Sequence, residues 1–181
     1  MPINRQQLLQ ILPNARTVAG VFVPLLNTAM GRYQIVTRLR IAAFLAQVGH
    51  ESAHLRQLRE LGGSKYLARY DSGRLAAILG NTPEPDGDGQ RYSGRGLLHI
   101  TGLSNYRACG EALGLDLVSY PRLLEEPEHA AMSAGWFWQR VGLNQLADQS
   151  DLLQITRRIN GGTNGLADRE ALYEKALEVL Q

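Results

Sequence analysis

The sequence contains a single cysteine, Cys109, in 181 residues. One cysteine cannot form an intramolecular disulfide bond, so the chain is not one of the small secreted proteins whose fold depends on disulfides. We interpret Cys109 as a small packed residue. The chain length and a hydrophobic content of 44% predict one globular domain, residues 1–181, with a sizeable core.

A strong excess of charge of either sign is also lacking. The net charge is +2 and the sequence pI is about 8.8, which is too mild to indicate a nucleic-acid-binding protein. The same values are compatible with loose attraction to an anionic polymer. We therefore expect no nucleic-acid partner.

No long hydrophobic run suggests a targeting segment or a membrane anchor. The apolar stretch AGVFVPLLNTAM is short, contains Pro24 and follows no basic segment. We expect neither a signal peptide nor stable insertion into a membrane. The protein is therefore expected to be made in the cytoplasm.

Apolar residues at intervals of three and four predict helices over most of the chain. The N-terminal helices are expected at 4–12, at 18–30 with a kink or division near Pro24, and at 37–57 after the cap Thr37. Four C-terminal helices are expected. The first ends at Gly114, the second runs from Pro127 to Gly142, the third follows the cap Asp151, and the fourth spans 168–180.

Residues 62–96 have a different composition, rich in glycine, proline and aspartate. This composition predicts hairpin-like strands and loops around a short helix at 72–79. The expected fold class is therefore mainly α, with two lobes: a helical body and a small lobe of β-hairpin and loops. Two unequal lobes leave a cleft between them that can bind an extended ligand.

Residues 50–54 read HESAH, which has the H-E-x-x-H spacing of helical zinc proteases. In that motif two histidines on one helix face bind zinc, and the glutamate between them activates water. A third ligand is required, and neither His99 nor His129 lies in a recognisable second ligand motif. The zinc protease is the less favoured alternative, and we expect no metal ion and no cofactor.

Two carboxylates suggest another chemistry. Glu51 and Glu60 are nine residues apart, and on one continuous helix they would lie on opposite faces, about 13 Å apart along the axis. Gly62 and Gly63 favour a turn just after Glu60. Two carboxylates that face one cleft can act as the acid and the base of glycoside hydrolysis. The alternative interpretation of Glu60 is a solvated charge at a helix end.

Three stretches resemble the family 19 glycoside hydrolases, the chitinase-like lysozymes: FLAQVGHESAHL, RYSGRGLLHITGLSNY and INGGTNGLADREALY. The resemblance spans essentially the whole chain and is closer to the phage and prophage endolysins of that family. The second and third blocks are long and specific, whereas HES alone would not be. The resemblance implies a lysozyme-like, mostly α fold and inverting hydrolysis of β-1,4 bonds between N-acetylated sugars.

The resemblance also implies roles for individual residues. Glu51 takes the position of the general acid, Glu60 that of the general base, and Thr101 that of the residue that helps to hold the attacking water. His99 stands where the family often has glutamine, so its contact with sugar departs from the family pattern. The remaining candidate substrate-binding positions are His50, Tyr92, Asn105, Asn160 and Arg169.

Local interpretations stay open for several of these positions. Asn160 could be a helix cap, Arg169 a surface charge and Arg95 a structural ion-pair partner. His54, one turn after His50, is interpreted as a surface or packing histidine and not as a ligand.

The expected function is that of a monomeric peptidoglycan hydrolase of the endolysin type. Such a muramidase cleaves the β-1,4 bond between N-acetylmuramic acid and N-acetylglucosamine. Its partners would be peptidoglycan glycan strands, reached once a separate factor has permeabilised the membrane. A chitinase or a secreted antibacterial effector would use the same residues. An inactive glycan-binding module is the alternative from another class, and the presence of both Glu51 and Glu60 argues against it.

Overall fold

The computed structural model describes residues 2–181, which form eleven α-helices and two isolated β-bridges. No helix within this range is long and apolar enough to cross a bilayer. The mainly α fold class is confirmed. The helices are α1 (Arg5–Ile11), α2 (Ala19–Arg32), α3 (Arg38–Glu51), α4 (Ser64–Leu67), α5 (Gly73–Leu79), α6 (Asp88–Arg91), α7 (Leu103–Leu113), α8 (Pro127–Arg140), α9 (Leu143–Asp148), α10 (Leu152–Asn160) and α11 (Leu166–Val179).

Several helices begin and end where the sequence predicts. The side chains of Asn4, Thr37 and Asp151 each accept a hydrogen bond from a backbone N–H in the first turn that follows, which satisfies a donor that the helix itself leaves free. Gly114 ends α7 in the left-handed conformation. At Pro24 the division considered from the sequence does not occur, because α2 continues through it as one helix.

Helix α3 is the centre of the core. Nine consecutive residues, 41–49, are buried, so the helix is covered on every side. It packs most extensively against α11, while α2 packs against α8. Phe44 meets the Trp138 ring edge to face, with the ring centroids 5.3 Å apart. Cys109 is fully buried in the same core, in line with the packing role predicted for it.

Helix α3 ends at Glu51 and not near residue 57, where the sequence pattern placed its end. Ser52 Oγ donates a hydrogen bond to Val48 O and accepts one from Leu55 N. The next three residues, 53–55, have φ values of 48°, 60° and 69°, which no α-helix allows. The apolar periodicity continued past this turn because Leu55 is buried in the core from a non-helical position.

Residues 62–96 contain loops and the short helices α4 to α6 in place of the hairpin strands predicted for them. The predicted short helix is confirmed as α5, which begins after Ser72. Polar side chains bind the backbone here: Asp71 accepts from Gly89 N at 2.5 Å, and Asp88 accepts from Thr82 N at 3.1 Å. Such bonds satisfy backbone groups that would otherwise pair in a strand ladder.

Candidate active site

Glu51 is the last residue of α3, and a buried network holds its carboxylate. Arg169, from the first turn of α11, is 1% exposed and donates from Nη2 to Glu51 Oε1 at 2.5 Å. Its Nη1 donates to Gln47 Oε1, and Gln47 Nε2 donates to Thr156 Oγ1 at 3.1 Å. The carboxylate of Glu51 is therefore fixed by a guanidinium group that is itself fixed on two sides.

A second contact runs beside the first. His50 Nδ1 lies 2.6 Å from Asp168 Oδ2. Two neighbouring residues of α3, His50 and Glu51, therefore contact two neighbouring residues of α11, Asp168 and Arg169. Gly165 makes this approach possible, because a Cβ at that position would lie 2.2 Å from the His50 ring. The structure thus places the His50 side chain at the contact of α3 with α11, next to the candidate acid.

Asn160 lies at the end of α10 and organises the loop before α11. Its Oδ1 accepts from Gly162 N at 2.8 Å, and its Nδ2 donates to Asn164 O at 2.9 Å. The same Asn164 carbonyl accepts from Arg169 Nε at 3.3 Å. Asn160 is therefore linked to Glu51 through Asn164 and Arg169, in a capping role of the kind left open from the sequence.

Glu60 lies on an extended segment that pairs with residues 94–96. Its backbone N–H donates to Gly94 O at 2.9 Å, and its Oε1 accepts from Gly94 N at 2.5 Å. A Cβ on Gly94 would lie 3.0 Å from His99 Cβ, 3.1 Å from Thr101 Oγ1 and 3.3 Å from the Glu60 carboxyl carbon. Gly94 therefore lets Glu60, His99 and Thr101 converge on one point.

His99 connects the two candidate carboxylates. Its Nδ1 lies 3.8 Å from Glu51 Oε2, and the charges of Glu51 and Glu60 both act on the ring. Burial lowers the pKa of His99 below its usual 6.5, and the two carboxylates oppose that shift. The backbone is in the left-handed region with φ 51°, an uncommon conformation for this residue type that is concentrated at functional sites.

Thr101 and Asn105 lie beside His99. Thr101 Oγ1 donates to His99 O at 2.9 Å, and Asn105 Nδ2 donates to Thr101 O at 2.8 Å. All three line a cavity of about 250 Å³, together with apolar side chains that include Phe137. An apolar wall with a few polar groups is typical of ligand-binding cavities.

The structure does not bring Tyr92 to this group. Tyr92 is 4% exposed, packs edge to face against Tyr106, and directs its hydroxyl to Val118 O at 3.3 Å. Substrate contact was expected for Tyr92, and its burial in the core corrects that expectation. Arg95 is 3% exposed and pairs with Glu125 at 2.7 Å, which agrees with its interpretation as a structural ion-pair partner.

HESAH does not form the zinc-protease arrangement. His54 lies beyond the end of α3 with φ 60°, and its Nδ1 accepts from Asn14 N at 3.4 Å. His50 instead contacts Asp168. The two histidines therefore do not share one helix face. Across residues 2–181, no three His, Cys, Asp or Glu side chains gather closely enough to hold a metal ion.

Sequence reasoning missed three residues that shape this site: Gln47, Asp168 and Gly165. Gln47 could have been recognised, because it is a polar residue within an apolar helix and precedes Glu51 by four positions, which places both on one helix face. Asp168 adjoins Arg169 in the sequence, but its pairing with His50 depends on how α3 and α11 pack.

The chain is similar in sequence and in fold to known proteins. The family described as Chitinase class I, glycoside hydrolase family 19, matches residues 18–151. A Haemophilus influenzae protein named for a glycosyl hydrolase family 19 domain is 33% identical, over 96% of this chain and 94% of that protein. An Arabidopsis thaliana endochitinase is 32% identical, and the match covers 84% of this chain but only 56% of the endochitinase. Chitinase C from Streptomyces griseus has the same fold, with a TM-score of 0.78, 23% identity, and coverage of 98% of this chain and 92% of that chain.

Proposed function

This chain belongs to glycoside hydrolase family 19, and on that premise we propose that it is a peptidoglycan hydrolase. Family membership makes it a glycoside hydrolase with chitinase-like relatives. The proposed reaction is hydrolysis of the β-1,4 bond between N-acetylmuramic acid and N-acetylglucosamine with inversion at the anomeric carbon. One observation carries the mechanism: Glu51 and Glu60 both lie beside His99, in contact with separate structural elements.

Glu51 is the proposed general acid. It would enter the reaction protonated and transfer its proton to the glycosidic oxygen as the bond breaks. Arg169 then stabilises the carboxylate that remains, through the hydrogen bond that already exists between them. The burial of Arg169 and its bond to Gln47 keep this donor in place through the reaction.

Glu60 is the proposed general base. It would remove a proton from a water molecule that attacks the anomeric carbon from the face opposite to Glu51. The Thr101 hydroxyl lies on the same side of Gly94 as the Glu60 carboxyl group, where it can hold that water. An inverting pair must leave room for the water, so the two carboxyl groups should stand about 6.5–9.5 Å apart with substrate bound.

Peptidoglycan is favoured as the substrate by the resemblance to endolysins and by the basic pI of about 8.8, which suits an anionic polymer. In this proposal the enzyme acts on the wall after a separate factor has breached the membrane. A chitinase is the second candidate, and the endochitinase names of several relatives favour it. Both candidates use the same catalytic residues.

Product analysis separates the two candidates. Purified peptidoglycan and chitin oligomers would be digested, and the products identified by mass and by the sugar at the reducing end. New reducing ends at N-acetylmuramic acid are expected. Reducing ends only at N-acetylglucosamine, or cleaved peptide stems, would reject the muramidase; digestion of chitin alone would establish the chitinase.

A further inference from the structure

A second cavity, of about 660 Å³, lies outside the site described above and is rich in arginine. Its wall is formed by residues in and next to α6, by Arg59 in the segment before Glu60, and by residues within 119–126. Its charged and aromatic lining residues are Arg59, Arg91, Arg95, Arg122, Tyr120 and Glu126.

The cavity lies behind the candidate base. Arg59 and Arg95 form an antiparallel bridge, flanked by the hydrogen bonds of Gly96 N to Leu58 O and of Glu60 N to Gly94 O, each 2.9 Å. Residues opposite each other in such a pair share one face, and successive residues alternate between faces. Arg59 therefore points to the cavity side, whereas the next residue, Glu60, points to the side of Gly94 and Thr101.

The protein balances only part of the positive charge in this cavity. Glu125 neutralises Arg95 at 2.7 Å. Arg59 lies directly opposite Arg95 in the bridge, and two like charges in such a position are unfavourable. Throughout the described chain, the side chains of Arg59 and Arg122 have no hydrogen-bond or ion-pair partner. Arg91 donates to Val118 O at 3.1 Å and has no salt bridge to any described residue.

The rest of the wall indicates more than a site for a small inorganic anion. Tyr120 is 65% exposed, and Pro121 and Leu123 add apolar surface beside it. Glu126 is the one carboxylate among the residues that line the cavity. A ligand that matches this wall carries carboxylates for the arginines, because arginine binds carboxylates with two parallel hydrogen bonds. It also has some apolar surface and a cationic group that complements Glu126.

We propose that this cavity binds the carboxylate-bearing peptide stem of peptidoglycan, which chitin lacks. This inference rests on the proposed function and deepens it. Arg59 and Arg122 hold stem carboxylates, Tyr120 packs against the alanine methyl group, and Glu126 receives the ammonium group of a diamino acid. The cavity gives the enzyme a means to distinguish peptidoglycan from an uncharged glycan.

The test is a binding titration with the free stem tripeptide L-alanyl-γ-D-glutamyl-diaminopimelate at low ionic strength. The double substitution Arg59→Gln and Arg122→Gln should raise the Kd for the tripeptide by about 10-fold or more, because each lost charge-assisted hydrogen bond is strong. The matched control, Arg16→Gln with Arg74→Gln, removes the same charge from two exposed side chains elsewhere. Its Kd should stay within about 2-fold of the parent value. Unfolding midpoints of both double variants confirm that they are folded.

Three results would overturn the inference: an unchanged Kd in the Arg59/Arg122 variant, an equal loss in the control, or inorganic phosphate binding as tightly as the tripeptide. The last result would identify a general anion site. Cleavage of peptidoglycan by the parent protein is measured separately. Failure of that cleavage rejects the proposed function, whereas failure of the arginine dependence rejects only the stem site.

Discussion

Arg169 Nη2 lies 2.5 Å from Glu51 Oε1, and this contact joins the last turn of α3 to the first turn of α11. The neighbouring residues, His50 and Asp168, form a parallel contact at 2.6 Å. The position of the candidate acid is therefore set by the most extensive helix packing in the fold. Stability and catalysis should depend on the same guanidinium group.

Substitution of Arg169 by Met should cost stability and activity together. Arg169 is 1% exposed, and removal of one partner from a buried ion pair costs about 3–5 kcal/mol. Because the Glu51 side chain is 16% exposed, we expect the free energy of unfolding, measured in urea, to fall by about 3 kcal/mol. Arg157→Met, at an exposed position on α10, is the control and should change stability by less than about 0.5 kcal/mol. Equal effects of the two substitutions would show that the Glu51 contact is not stabilising.

Glu51→Gln should abolish most hydrolysis in a protein that still folds. The amide can accept the hydrogen bond from Arg169, but it cannot donate the catalytic proton, so the rate should fall by about 10²–10⁴-fold. Thr101→Ala should slow the reaction less, since Thr101 only positions the water. Glu174→Gln, at an exposed position on α11, should have no effect. Near-normal turnover of a folded Glu51→Gln protein would remove Glu51 from the acid role. A product with retained anomeric configuration would exclude the inverting mechanism.

Activity should survive a strong chelator. His50 and His54 do not share a helix face, because α3 ends at Glu51, and zinc binding by H-E-x-x-H requires that they do. Hydrolysis of peptidoglycan would be followed before and after treatment with EDTA, with and without added zinc. Loss of activity in EDTA and its return with zinc would contradict this reading of the histidines.

Gly165→Ala should be more harmful than Gly161→Ala. Both glycines have left-handed backbones, with φ 71° and 76°, so alanine costs about 1 kcal/mol at either position from the backbone alone. At Gly165 the new Cβ would also lie 2.2 Å from the His50 ring, whereas nothing lies within 4 Å at Gly161. The pair therefore isolates the His50 contact. Unfolding free energies and rates of both variants would be measured, and equal values would contradict the proposed contact.

The sequence was informative where local chemistry decides the structure. The caps Asn4, Thr37 and Asp151 and the terminating Gly114 act within a few residues of themselves, so their roles could be predicted. The end of α3 could not be predicted, because Leu55 is buried in the core from a left-handed backbone and thus imitates a helical position.

In the candidate site, too, local sequence patterns could be predicted and long-range contacts could not. The residues Glu51, Glu60 and Thr101 were predicted from short blocks of sequence, but the contacts that the structure gives them depend on long-range packing. Gly94 permits the convergence of Glu60 and Thr101, and no local pattern indicates which glycine has that task. Tyr92 was misplaced because it belongs to the same sequence block as Thr101, although its side chain is buried in the core.

His99 makes the stability of the fold depend on pH. Burial lowers the pKa of His99 below 6.5 in the folded state, whereas the unfolded chain binds a proton near 6.5. Below pH 6.5 the unfolded state therefore takes up a proton first, and stability falls as pH falls, by at most about 1.4 kcal/mol per pH unit. Well above pH 6.5 His99 is neutral in both states, so this loss of stability is absent. His99→Gln should lack this component when unfolding is measured at pH values above and below 6.5. The same pH dependence in the parent and in His99→Gln would show that His99 is not its source.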